Sequence, residues 1–182
     1  MKIGHGNRGM SFENLVEYTN RCYLFKGMAD VRKVATPVKV LRMVQGRIRD
    51  GFYEEKSTVD FIGTSQGRSL AYDAKTTRER TRFPLDNIHQ HQMDFLKSWQ
   101  DQGAVTFFLI EFAIHHEVYF VPFDLVLEWW LNAKRGGRKS IPYKWFKENC
   151  SLVKSSRGIP LDYLKCLERE ADGEQRKAQK VD

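Results

Sequence analysis

The sequence predicts an α/β (α+β) fold in which a mixed central β-sheet is flanked by helices, with a second strand ribbon protruding from it. Three observations predict it. Residues 104–112, AVTFFLIEF, are apolar on both faces, as a strand buried in the middle of a sheet must be. Residues 58–75 form two strand-like arms around Gln66-Gly67, which reads as a hairpin. Amphipathic helical stretches lie on either side of these segments in the chain.

Taken in order, residues 1–10 form a short basic, Gly-rich arm. Residues 11–26 predict a helix with Ser11 as N-cap and Gly27 as stop, and Phe12, Leu15, Val16, Thr19 and Tyr23 share one side. Residues 29–35 and 38–44 are strand-like and are separated by Thr36-Pro37. The pattern breaks over 45–57, which reads as the tip of a ribbon. After the hairpin comes a polar loop, Thr76 to Arg82, closed by Pro84. Asp86 can cap a helix running to about Gln100 and ended by Gly103. A strand over 116–122 is expected to pair with 104–112, with His115-His116 in the turn. Phe123, Val126, Leu127, Trp130 and Leu131 define a further helix face, and short helices are expected at 142–149 and 160–170. Residues 11–170 are read as a single domain. Residues 171–182 are charged and poor in large apolar side chains, which predicts a disordered tail.

The 182-residue chain is 41% hydrophobic, which is ordinary for a globular domain. Its formal charge of +7 and pI of about 9.3 favour a polyanionic partner, nucleic acid or an anionic membrane surface, with simple solubility as the alternative. Three scattered cysteines, Cys22, Cys150 and Cys166, form no zinc pattern and fit a reducing compartment. No apolar leader is visible, and the longest apolar run contains Glu111 and is too short to span a bilayer. The expectation is a cytoplasmic protein that does not enter a membrane.

The hairpin carries the chemistry. A two-residue turn at Gln66-Gly67 pairs Ser65 with Arg68, which sets Asp60 opposite Asp73 and Thr58 opposite Lys75. Alternation then puts Asp73 and Lys75 on one face, with Leu70, Tyr72 and Ala74 on the other. Facing carboxylates repel, and a divalent cation is the simplest way to offset the repulsion. An ordinary pair of surface carboxylates is the alternative. Hydrolysis of a phosphodiester needs a held cation, an oriented water and a positive group for developing charge. Asp60 and Asp73 can supply the first and Lys75 one of the others. Gln92 falls within the apolar stripe of Ile88, Phe95 and Trp99, so it is either a satisfied core glutamine or a contributor to a metal or its water. Glu13, in the first turn of the first helix, favours the helix dipole. It becomes catalytic only if that helix crosses the open side of the hairpin.

Basic residues recur in loops: Arg8 in the arm, Arg47, Arg49 and Lys56 in the ribbon, Arg78, Arg80 and Arg82 after the hairpin, and Arg138 and Lys139 near Gly137. Each alone reads as a solvated charge. Together, with Phe52 and Tyr53 able to stack on bases, they favour DNA phosphate binding.

An ordered set of short motifs resembles the RecU family of Holliday junction resolvases. It comprises Asn7-Arg8-Gly9-Met10, Thr36-Pro37-Val38, Ser57-Thr58-Val59-Asp60, Asp73-Ala74-Lys75, Phe83-Pro84-Leu85, His89-Gln90-His91-Gln92 and Gly137-Arg138-Lys139-Ser140, from about residue 7 to 167. The resemblance implies a restriction-endonuclease-like fold and a homodimer that cuts four-way junctions symmetrically with Mg²⁺ or Mn²⁺ in recombination and repair. It implies Asp60 and Asp73 as metal ligands, Thr58 and Gln92 completing the metal environment, Lys75 stabilising the transition state, and Glu13 at the first-helix acidic position. Residues 36–57 would be the stalk that enters the junction, and recombinase or branch-migration proteins would be partners. The chain departs from the family pattern at Asp73, where Glu is usual, and the arm and stalk are short. Two rival readings are a structure- or duplex-specific nuclease of the same fold, and a branched-DNA binding module without catalysis.

Overall fold

The computed structural model describes residues 11–53 and 58–169. Expectations for Arg8, for Lys56, and for the 1–10 arm and the 171–182 tail lie outside the described residues, as does the side chain of Tyr53.

Helix α1 (Phe12–Phe25) begins at Ser11, whose hydroxyl accepts from the Asn14 amide at 3.3 Å. It ends where Gly27 turns to φ +63°, a conformation that costs glycine little. The expected stripe of Phe12, Leu15, Val16, Thr19 and Tyr23 is buried, and Asn20 joins it.

The main sheet takes strands in the order β1 (Asp30–Lys33), β4 (Phe61–Ser65), β5 (Arg68–Thr77), β7 (Val105–Phe112), β8 (Glu117–Pro122) and β10 (Ser151–Leu152). Only β5 and β7 run parallel, so the sheet is mixed, as expected. Their crossover carries β6 (Arg82–Pro84), a 3₁₀ turn (Leu85–Asn87) and helix α2 (Gln90–Asp101). Strand β7 lies in the centre, with all of Thr106–Ile110 buried.

One face of the sheet packs Leu70, Tyr72, Phe107, Leu109 and Phe120 against α1 and against a C-terminal segment that is helical over 163–169. The other packs Ala71, Phe108, Ile110, Tyr119 and Val121 against α2, helix α3 (Phe123–Lys134) and helix α4 (Tyr143–Asn149). Short β9 (Ser140–Pro142) pairs with β6.

Three boundaries differ from expectation. Residues 47–53 are a strand, β3 (Arg47–Tyr53), which pairs with β2 (Val38–Val44) through a left-handed turn at Gln45-Gly46. An exposed ribbon needs backbone pairing but no buried face, so it lacks the apolar alternation that marks a core strand. The helix expected from Asp86 begins at Gln90 instead, because Ile88 adopts an extended conformation and is buried. Strand β4 begins at Phe61, so the segment from Thr58 to Asp60 leaves the ladder.

Candidate active site

The hairpin turn at Gln66-Gly67 takes positive φ at both residues and pairs Ser65 with Arg68, as the sequence predicts. The ladder continues to Phe61↔Tyr72 and stops there. One step further, Asp60 faces Asp73, but through side chains rather than strand pairing. The Asp60 carbonyl accepts from the Val34 amide at 2.8 Å, which prolongs the β1–β4 ladder. Its carboxylate oxygen Oδ2 accepts from the Ala74 amide at 2.9 Å. That amide belongs to the stretch of β5 that β4 has left, and the Asp60 carboxylate takes the place of a strand carbonyl. Gly63 supports this arrangement: a Cβ there would overlap the Asp30 carbonyl, so glycine lets β1 close over β4.

Asp73 is fully buried, on the side of the sheet that faces α2. Lys75 Nζ stands 3.0 Å from its Oδ2, while as a carboxylate neither oxygen of Asp73 has a hydrogen-bond donor of good geometry. Three effects push its pKa up to about 8: burial first, then the hydrogen bond that a protonated Asp73 shares with Asp60, then the charge of Asp60 itself. Lys75 pulls in the opposite direction. Burial and the neighbouring Asp60 thus both disfavour a second charge at this position, and a proton or a cation would offset it.

The donor set fits a hard divalent cation. Orphaned oxygens on a buried carboxylate, beside a second carboxylate, are what such an ion neutralises. Among the described residues no group of three or more His, Cys, Asp or Glu gathers at metal distance. An ion held here would rely on water and phosphate oxygens for the rest of its shell.

The other candidates fall differently. Thr58 lies half-buried in the bend before Asp60 and is not paired opposite Lys75, because β4 has already left the ladder. Gln92 is buried, but its Oε1 accepts from the His89 amide at 3.0 Å and caps α2. That contact gives the satisfied-core alternative its physical content. Gln92→Ala is expected to cost about 1 kcal/mol of stability in metal-free protein, as loss of a cap does. Urea melts with and without Mg²⁺ check this, since a purely metal-linked role predicts a cost only with metal.

Glu13 sits on α1, across the sheet from α2, and its carboxylate is 2.6 Å from Lys33 Nζ. Lys33 also reaches Glu17 at 3.1 Å. Sequence reading passed over Lys33; the signal was the pair of acids four apart on one helix face.

The basic loops converge. Pairing of β6 with β9, extended by the Leu85 amide on the Lys139 carbonyl at 3.1 Å, brings the segment of Arg78, Arg80 and Arg82 beside that of Arg138 and Lys139. Arg82 is partly engaged, with Glu79 at 3.4 Å. Arg47, Arg49 and Phe52 lie on the exposed ribbon, which forms a two-stranded sheet of its own. Val38, Val40, Leu41, Met43, Val44 and Ile48 add exposed apolar surface to the same ribbon.

A profile described as Recombination protein U, or RecU, matches residues 7–169. The Holliday junction resolvase RecU of Oenococcus oeni is 34% identical over 172 residues, covering 92% of this chain and 87% of its own. That of Levilactobacillus brevis is 32% identical over 170 residues, covering 91% and 85%. That of Oceanobacillus iheyensis is 33% identical over 168 residues, covering 90% and 86%. Among solved structures, the Holliday junction resolvase of Archaeoglobus fulgidus aligns with 59% of this chain and 74% of its own at 15% identity and a TM-score of 0.37.

Proposed function

The chain belongs to the RecU family, and from that premise we propose that it is an endodeoxyribonuclease that resolves Holliday junctions by paired, symmetric phosphodiester cleavage. The observation that carries the catalytic assignment is Asp73, fully buried, with Lys75 Nζ 3.0 Å from its Oδ2 and Asp60 beside it.

Asp60 and Asp73 hold a divalent cation, Mg²⁺ or Mn²⁺. When bound, that ion supplies charge neutralisation at the scissile phosphate and a more acidic water. Lys75 orients the attacking water or neutralises developing charge, and its ammonium is already directed at Asp73. Asp60 is held at two points, by the Val34 and Ala74 amides, so its carboxylate is preorganised. The arginine loop opens three residues past Lys75, where it can hold backbone phosphates of the cleaved strand. The β2–β3 ribbon, with its arginines and exposed Phe52, is the stalk that enters the junction centre.

Symmetric cuts in two strands call for two active sites related by a two-fold axis, which makes a homodimer the working unit. Among the described residues no helix is long and apolar enough to cross a membrane. A cytoplasmic setting with recombination partners follows from the substrate.

The test is cleavage of a synthetic mobile four-way junction beside matched duplex and single strand, with Mg²⁺ and with EDTA. Symmetric nicks confined to the junction and to metal are expected. Cutting of plain duplex would move the function to a general nuclease. Tight junction binding without cutting under Mg²⁺ or Mn²⁺ would favour a binding module.

A further inference from the structure

His115 sits at the turn between β7 and β8, far in sequence from the acidic hairpin, yet it reaches the arginine loop. Its Nε2 is 2.7 Å from the Arg80 carbonyl oxygen. Its ring stacks on Tyr143, with centroids 4.1 Å apart and planes 12° from parallel. Tyr143 is itself fixed: its hydroxyl donates to Glu117 at 2.5 Å, and its backbone amide donates to the Thr81 carbonyl at 2.8 Å. Glu117 also accepts from the Tyr119 hydroxyl at 2.7 Å. Two consecutive carbonyls of the loop are thus held, that of Arg80 by the His115 ring and that of Thr81 by the backbone amide of Tyr143, the residue on which that ring stacks. Further anchors hold both ends: the Ala113 amide donates to the Thr77 carbonyl at 3.0 Å, and Arg82 pairs with Pro142.

An exposed loop rich in arginine spends most of its time in many conformations unless something holds its backbone. Here the holding groups lie on the sheet face that also carries Asp73, since Phe112 and Tyr119 of the same core pack against Tyr143. We infer that His115 is a positioning residue for DNA: with Tyr143 it fixes the 78–82 loop so that Arg80 meets a backbone phosphate beside the cleaved bond. This rests on the junction-resolving reading above and names a determinant of how that site takes its substrate.

Arg80→Ala is expected to weaken junction binding about tenfold and to lower the slope of log affinity against log salt by about one. His115→Ala is expected to weaken binding about three- to tenfold. It should have almost no further effect when added to Arg80→Ala, because it acts through that side chain. Cleavage at saturating junction should stay near wild type, so that KM moves and kcat does not. His115→Gln keeps a donor within reach of the Arg80 carbonyl but loses the stacked ring, and it should recover part of the affinity. Binding is measured in EDTA, and a thermal melt checks that the variants fold.

Effects of Arg80→Ala and His115→Ala that simply add would overturn the inference, as would wild-type affinity and salt slope in His115→Ala. Failure of the wild-type protein to bind the junction would instead overturn the functional reading, so the two failures are distinguishable.

Discussion

Asp73→Ala is expected to reduce junction cleavage by about a thousandfold or more while junction affinity stays level or rises. The loss follows from geometry: Asp73 is the buried member of the carboxylate pair, and Lys75 is held against it at 3.0 Å. Without it the cation loses a ligand and Lys75 loses the partner that aims its ammonium. Retention of binding follows from charge. Without metal Asp73 is largely protonated, so only its ionised fraction repels phosphate, and the basic loops and ribbon that would contact the backbone do not depend on it. Single-turnover cleavage with Mg²⁺, beside a band shift in EDTA, measures both quantities. Loss of junction binding in a folded Asp73→Ala protein would count against the site. Asp60→Ala should differ, because Asp60 also satisfies the Ala74 amide. Its removal leaves a backbone donor unpaired and adds a stability cost of about 1–3 kcal/mol to the catalytic one.

Much of this site was legible in the sequence because strand alternation has an invariant period. Once Gln66-Gly67 fixed the turn, the register placed Asp60 beside Asp73 and put Asp73 and Lys75 on one face, and the observed ladder carries that register to Phe61↔Tyr72. The first helix was legible because it repeats a buried position at the helical period, and the central strand because it is apolar on both faces. Legibility failed where the chain stops repeating. Nothing in Ser57-Thr58-Val59 shows that β4 has parted from β5, because the divergence is set by β1 and Val34 on the far side. The capping role of Gln92 was hidden because a helix start depends on how Ile88 is packed, which is a tertiary fact. The tie between His115 and Arg80 spans 35 residues and joins two loops, so no periodicity could announce it.

Asp73→Asn is expected to make the metal-free protein more stable at pH 8 by on the order of 2 kcal/mol or more, with the advantage fading toward pH 4. The sign follows from the carboxyl itself, which is raised from 3.8 to about 8. Between those values the native protein keeps a proton that the unfolded chain has released. Stability therefore falls as pH rises through the window, by at most about 1.4 kcal/mol per unit, and levels off above about pH 8. Asparagine cannot ionise, and its amide can still donate to Asp60, so its profile lacks that slope. The same proton stands between the site and its cation. Below pH 8 a divalent ion must displace it, so apparent Mg²⁺ affinity should rise about tenfold per pH unit up to that point, with about one proton released per ion at pH 7. Urea melts across pH 4–8 in EDTA read the first effect, and calorimetric titration in buffers of different ionisation enthalpy reads the second. Parallel melting profiles for the two proteins would mean that Asp73 is ionised in the apo state and that Lys75 alone holds its charge. Cleavage would then lose its rise with pH toward 8. If the profiles diverge as expected, burial keeps the site protonated and quiet until a cation arrives, and the cost of that burial is what makes the carboxylate bind metal.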